Sequence, residues 1–180
     1  DAARLDLLTT ELHTIRVFGD RAILERNSFT NSNADGAGAC VGIGGSNGTP
    51  DGVVLRGNRF HNCGGTASNL NHAIYANAYT NLTIEDNVFW RTGAYAIQLY
   101  PDAQGTIVRH NVIDGSKEFS IRGSLVIDGD SNDHTIEHNV VAYTAATAIE
   151  VRVGSGHSAR DNCFWQNDDG DISGTIAESG

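Results

Sequence analysis

Ile84-Glu85-Asp86-Asn87-Val88-Phe89 is a segment that this chain carries six times in variant form. The other copies are Leu24-Glu25-Arg26-Asn27-Ser28-Phe29, Leu55-Arg56-Gly57-Asn58-Arg59-Phe60, Val108-Arg109-His110-Asn111-Val112-Ile113, Ile136-Glu137-His138-Asn139-Val140-Val141 and Ala159-Arg160-Asp161-Asn162-Cys163-Phe164. Each centres on an Asn, with an aliphatic residue or Ala three places before it and Phe, Ile or Val two places after. Self-similarity of this kind marks an architecture in which stacked units share one core. The Asn residues are spaced by 31, 29, 24, 28 and 23 residues. Helical repeats of fixed helix length would hold their period, whereas short strands joined by loops of free length need not. Each interval has room for three strands of about five residues with turns between them. The expected fold is therefore all-β, a parallel solenoid of about six coils stacked at about 4.8 Å.

Within a coil, the Asn is expected to form the bend between two strands, because it tolerates the left-handed backbone conformation better than other non-glycine residues. Its amide both donates and accepts, so stacked copies can bond to one another. The residues two before each Asn read Glu25, Arg56, Glu85, Arg109, Glu137 and Arg160, alternating in sign from coil to coil. Strand alternation points them to solvent, where opposite charges on neighbouring strands attract. His110 and His138 fill the place just before the Asn and read as stacked turn residues.

These residues resemble the right-handed parallel β-helix repeat proteins, the superfamily that includes pectate lyases, polygalacturonases, alginate lyases and mannuronan epimerases. The resemblance spans roughly residues 13–168 and implies the right-handed form of the helix. It also implies a groove on one face, while the fold itself hosts many activities. Several motifs of named relatives are missing. No Gly-His-Gly with Arg-x-Lys is present, the nearest echo being Ser155-Gly156-His157-Ser158, and the Asp-Pro-His of mannuronan epimerases is absent. The Lys-Arg pair of alginate lyases is met only by Lys117 with Arg122.

At 180 residues the chain reads as one domain, 1–180, excised or matured from a longer secreted protein. A net charge of −10 with a single lysine argues against nucleic-acid and anionic-membrane partners, whose binding requires clustered positive charge. No apolar run approaches membrane-spanning length. Three cysteines cannot all pair within one chain, and Cys63 and Cys163 lie four coils apart, about 19 Å. Cys40 and Cys63 flank a single coil and have a route to one another through a loop, but all three are read as free thiols.

A second column of strands runs through Ile15-Arg16-Val17, Val41-Gly42-Ile43-Gly44, Ala73-Ile74-Tyr75, Ala96-Ile97-Gln98-Leu99-Tyr100, Leu125-Val126-Ile127-Asp128 and Ala148-Ile149-Glu150-Val151-Arg152. With Ile15, Ile43, Ile74, Ile97, Ile127 and Ile149 inward, alternation places Arg16, Gly44, Tyr75, Gln98, Asp128 and Glu150 outward. Asn77, Tyr100, Asp130 and Arg152 then form a parallel column. Irregular polar chemistry on a regular scaffold is where a site is expected, and the long loops 31–39, 64–71 and 116–123 would wall it.

Asp128, Asp130 and Glu150 offer hard oxygen donors for a calcium ion, or surface pairing with Arg152 and Arg122. Tyr75, Tyr100 and His72 are the candidate catalytic groups, with Gln98, Arg152 and Arg122 as substrate contacts. A Tyr or His base beside a group that stabilises a uronate enolate suffices for β-elimination. On the third strands, Trp90 and Trp165 point outward, as a sugar platform, a contact with another domain, or side chains covered by loops. The leading expectation is a secreted or cell-surface, carbohydrate-associated β-helix protein, with lyase action on an acidic polysaccharide as its enzymatic form. The alternative is a non-catalytic glycan-binding, adhesive or structural module.

Overall fold

The computed structural model describes residues 15–34, 38–66, 68–116, 120 and 122–180. Each of the first six coils contributes one strand to each of three parallel sheets. The first sheet stacks seven strands, Ile15–Val17, Val41–Ile43, Ile74–Ala76, Ile97–Leu99, Leu125–Ile127, Ile149–Val151 and Ile172–Ser173. The second also has seven, from Ile23–Glu25 to Ala177–Ser179, and the third has six, from Ser28–Phe29 to Cys163–Trp165. Inward positions of successive coils lie directly over one another. Leu55, Ile84, Val108, Ile136 and Ala159 form one buried column, and Phe29, Phe60 and Phe89 stack at 4.9 and 4.8 Å between ring centres.

The six repeat asparagines form the bonded column that their amides suggested. From Asn58 to Asn139, each donates its backbone N–H and one side-chain N–H to Oδ1 of the next, at 2.9–3.0 Å. The second side-chain N–H reaches a carbonyl one coil back, as from Asn87 to Leu55 at 3.0 Å. The bend itself falls one residue earlier than expected. Positive φ occurs at Arg26, Gly57, Asp86, His110, His138 and Asp161, not at the asparagines. An Asn whose amide is fixed inward between coils is held by its bonds, so the preceding residue makes the turn. His110 and His138 stack there at 5.4 Å.

Charge alternation holds with the expected register, Glu25–Arg56–Glu85–Arg109–Glu137–Arg160. It resolves into discrete pairs: Arg56–Glu25, Arg109–Glu85 and Arg160–Glu137. The acids are less open to solvent than expected, Glu137 being buried, because the arginine stems lie over them.

A further polar column precedes the second-sheet strands. Tyr79 O–H meets Thr106 Oγ1, Thr106 N–H donates to His134 Nδ1 at 3.0 Å, and His134 N–H donates to His157 Nδ1 at 3.4 Å. The two imidazoles stack at 5.1 Å.

Two expectations are corrected. Cys40 and Cys63 are joined in a disulfide, with Cα atoms 5.7 Å apart, and Cys163 alone is free and exposed. Cys40 opens a coil and Cys63 ends the third-sheet strand of the same coil, so one circuit of the helix brings them together. The register of the first sheet also differs at two coils. Arg16 aligns with Gly42 and Tyr75, and Gln98 aligns with Val126 and Glu150, in place of Gly44 and Asp128. Most of these strands bury two apolar positions, such as Val41 and Ile43 or Ile97 and Leu99, so alternation alone cannot choose between alignments two residues apart.

Candidate functional site

The first sheet carries the least regular outer face. Its register separates the three carboxylates expected to hold calcium. Glu150 lies beside Val126, Asp128 lies beside Arg152, and the exposed Asp130 sits in a left-handed turn whose carbonyl accepts from Gln104 Nε2 at 2.8 Å. Among the described residues, no three His, Cys, Asp or Glu side chains gather closely enough to hold a metal ion. Arg152 occupies the space between two of the carboxylates. Its Nε donates to Glu150 Oε1 at 2.9 Å, Nη2 to Glu150 Oε2 at 3.1 Å, and Nη1 to Asp128 Oδ2 at 3.2 Å.

Tyr95, which the sequence reading passed over, completes this cluster. It precedes the strand Ile97–Leu99, yet its hydroxyl donates to Glu150 Oε2 at 2.9 Å, two coils further on, and accepts from Arg152 Nη2 at 2.9 Å. The ring must pass over the intervening coil, where the equivalent position is Gly123. A Cβ on Gly123 would lie 3.5 Å from Tyr95 Cε1 and 2.3 Å from the Thr147 carbonyl oxygen. Gly123→Ala is therefore expected to lower the melting temperature by several degrees, through the clash with the Thr147 carbonyl. Wild-type melting in the variant would show that the approach of Gly123 to the Thr147 carbonyl is not tight.

The environments of Tyr95 and Glu150 drive their acidities apart. Burial, then the bond to Glu150, pushes the Tyr95 hydroxyl up to about 12. Burial alone would raise Glu150, but hydrogen bonds from Arg152 and Tyr95 outweigh it and hold the carboxyl below its ordinary value. Arg152 is held more firmly protonated, chiefly by its bond to Glu150. At neutral pH the cluster thus presents a protonated phenol, a carboxylate and a guanidinium in one bonded group.

The other expected residues spread along the same face. Tyr75 is half-buried, and burial, then Tyr100, raises its hydroxyl above the usual range. Gln98 lies beside it with its Oε1 buried and unbonded, and Tyr100 is exposed, its ring against Gly129. His72 is buried between Tyr75 and Tyr95, with ring centres 6.0 and 5.9 Å away, and burial lowers it to about 4, little opposed by the Tyr95 backbone. Arg122 is exposed and close enough to Glu150 and Tyr95 to act on both charges. Lys117 and parts of the three long loops lie outside the described residues. On the third sheet, Trp90 is half-buried and stacked on His61 at 4.8 Å, and Trp165 stands 59% exposed, with Val88, Val112 and Val140 on the same outer face. The two Trp residues are thus remote in kind from the Tyr95 cluster, on a different sheet.

A family profile described as a right handed beta helix region matches residues 15–177. A search of curated proteins finds no match. Among solved structures, an alginate lyase from Paenibacillus sp. str. FPU-7 is similar over 91% of this chain and 71% of its own, with a TM-score of 0.59 and 12% identity. A DFA-IIIase from Arthrobacter chlorophenolicus A6, solved without its lid in complex with GF2, is similar over 92% of this chain with a TM-score of 0.59 and 16% identity. This chain covers 49% of that enzyme's length. At such identities the likeness is one of fold alone. Among the described residues, no helix is long and apolar enough to cross a membrane.

Proposed function

Since the chain belongs to the right-handed β-helix family, we propose that it acts on carbohydrate, holding an extended acidic glycan along the outer face of its first sheet and cleaving it by β-elimination. The observation that carries this reading is the Tyr95–Glu150–Arg152 cluster. Two titratable groups with acidities driven apart are what acid–base chemistry requires. Glu150, ionised, is the base for the proton α to the uronate carboxyl. Arg152 offsets charge on the enolate that forms, and the protonated Tyr95 donates to the departing glycosidic oxygen. Tyr75, Gln98 and Tyr100 extend the face with stacking and hydrogen-bonding surface for neighbouring sugars.

That an alginate lyase and a DFA-IIIase share this architecture supports a carbohydrate substrate. The Cys40–Cys63 disulfide supports an oxidising compartment, and hence a secreted or cell-surface protein. Calcium is a candidate only as a bridge between glycan carboxylates and the exposed Asp130, since Arg152 already lies between Asp128 and Glu150 and bonds to both.

The exposed Trp165 and the valines beside it favour a second reading, a non-catalytic module that binds glycan or packs against other domains through the third sheet. Incubation with a panel of polyuronates, followed by absorbance of the unsaturated product with and without chelator, separates the two. Absorbance should rise with wild type and fall at least about tenfold in Glu150→Gln and in Tyr95→Phe, as loss of a general acid or base does. No absorbance on any polymer, or undiminished rates in both variants, would leave the module reading in its place.

A further inference from the structure

Beside the cluster, at its N-terminal side, the first sheet holds a recess of about 220 Å³ lined by Arg16, Gly38, Ala39, Leu70, His72 and Tyr75. We propose that this recess is a subsite for a single sugar residue bearing a carboxylate, with Arg16 receiving the carboxylate and His72 exchanging hydrogen bonds with a ring hydroxyl. The proposal rests on the carbohydrate reading of this face, but not on its being catalytic.

Arg16 is the first observation. Arg56, Arg109, Arg152 and Arg160 bond to carboxylates, whereas the exposed Arg16, like Arg21, Arg26, Arg59 and Arg122, forms no ion pair among the described residues, and of these Arg16 alone lines the recess. In a chain of net charge −10, a cation left without an acid is available for an anionic ligand. Its side chain is also directed. It lies across the neighbouring strand at Gly42, where an added Cβ would come within 2.7 Å of Arg16 Cδ and 2.8 Å of Nη1. Gly42 has no positive φ, so its value here is the space it leaves. The next residue in that row is Tyr75, and the Arg16 charge is felt at its hydroxyl.

His72 is the second and independent observation. It is 1% exposed, and neither ring nitrogen has a hydrogen bond of good geometry, although the Tyr95 backbone lies near enough to the ring to favour its protonated form. A buried polar group without a partner costs about 1–3 kcal/mol. A neutral imidazole offers one N–H and one lone pair, the complement of a hydroxyl that accepts and donates. The ring lines the recess beside Tyr75 while its nitrogens are shielded from solvent, so a hydroxyl bonds to them only if the ring turns toward the recess as the sugar enters.

Size and lining restrict the ligand further. The volume lies below the roughly 300–1,000 Å³ of pockets that enclose drug-sized ligands, which suits one sugar ring. Leu70, 64% exposed, and Tyr75 supply an apolar wall for the C–H face of that ring. Tyr95, stacked on His72 and bonded to Glu150, joins the recess to the cluster. Tyr75 and Glu150 stand three coils apart, about 14 Å along the axis, so the recess would hold a residue displaced from the bond being cut.

The test uses free glucuronate, galacturonate and mannuronate, each against its neutral hexose, in calorimetric and NMR titrations. Wild type should bind one acid about tenfold or more tighter than its neutral partner, the size of one charge-assisted contact, and the His72 ring resonances should shift with saturation. Arg16→Gln should abolish the discrimination. Gly42→Ala, which keeps the charge but displaces the guanidinium, should reduce it. Equal binding of acid and neutral sugars, or His72 resonances unmoved at saturation, would overturn the subsite. Such a failure alongside polyuronate cleavage would leave the proposed function standing, while selective monosaccharide binding without cleavage would support the subsite and remove the lyase reading.

Discussion

Acidification from pH 7 to pH 4 is expected to remove on the order of 5 kcal/mol of folding stability, most of it through two histidines. Burial, with a smaller contribution from His157, lowers His134 to about 3, and burial lowers His72 to about 4, from an ordinary value of 6.5. Both are folded-state values below the unfolded one. Between pH 6.5 and those values the unfolded chain binds more protons than the native one, so stability is complete above about pH 6.5 and is lost as pH falls toward 4 and 3. Geometry explains the resistance of His134 to protonation: Nδ1 accepts from Thr106 N–H, and the buried Nε2 has no partner to receive a charge. Glu25, Asp51 and Glu150, each held below its ordinary value, add to the loss in the same direction, Glu25 and Asp51 being open to water and adding little. The loss is a large share of the 5–15 kcal/mol typical of a folded domain. Urea midpoints measured from pH 7.5 to 4 should fall steadily, and His134→Gln, whose amide accepts without titrating, should flatten the slope by about one proton. A wild-type midpoint unchanged over that range would refute the argument.

These histidines also mark where sequence stops being legible. The repeat around Asn27, Asn58, Asn87, Asn111, Asn139 and Asn162 disclosed the fold because every coil repeats the same local pattern, and the second-sheet register followed from an alternation of charge that only one alignment satisfies. His134 and His157 belong to a column too, but Leu82 and Thr106 occupy the same position in earlier coils, so no repeated residue type announces it. In the first sheet, Val126 breaks the run of polar outward residues, which drew the reading to Asp128 and built a carboxylate trio that Arg152 in fact separates. Tyr95 was missed for a related reason. It stands outside the strand pattern, and its partner Glu150 is 55 residues away, two coils further on. The approach of Cys40 to Cys63 across one coil was legible but not their bonding, because neither cysteine has a counterpart in other coils to fix its register. Repetition makes a scaffold readable, and a site is readable only where its residues fall on repeated positions.

Asn87→Ala is expected to cost roughly 3–5 kcal/mol, a size reserved for losses of several buried partners at once. Asn87 is 0% exposed at the middle of its column. Its Oδ1 accepts from both the backbone and side-chain N–H of Asn58, at 2.9 and 3.0 Å, and its Nδ2 donates to Asn111 Oδ1 and the Leu55 carbonyl, each at 3.0 Å. Alanine removes all four bonds and leaves two donors on Asn58 without an acceptor in a region closed to water. Asn111 Oδ1 keeps its bond from the backbone N–H of residue 87, and the turn is untouched because Asp86 carries the positive φ. The loss is therefore one of buried polar satisfaction and not of backbone conformation. That separation gives the prediction its control: Asp86→Gly, which relieves a left-handed residue of its Cβ, should be neutral or slightly stabilising. Asn162→Ala, at a half-buried end of the column where the amide makes three bonds, accepting two from Asn139 and donating one to the Ile136 carbonyl, should cost less than Asn87→Ala. Equal losses at Asn87 and Asn162 in urea titrations would show that the column does not act through burial, and wild-type stability in Asn87→Ala would mean that the stacked amides do not hold the coils together.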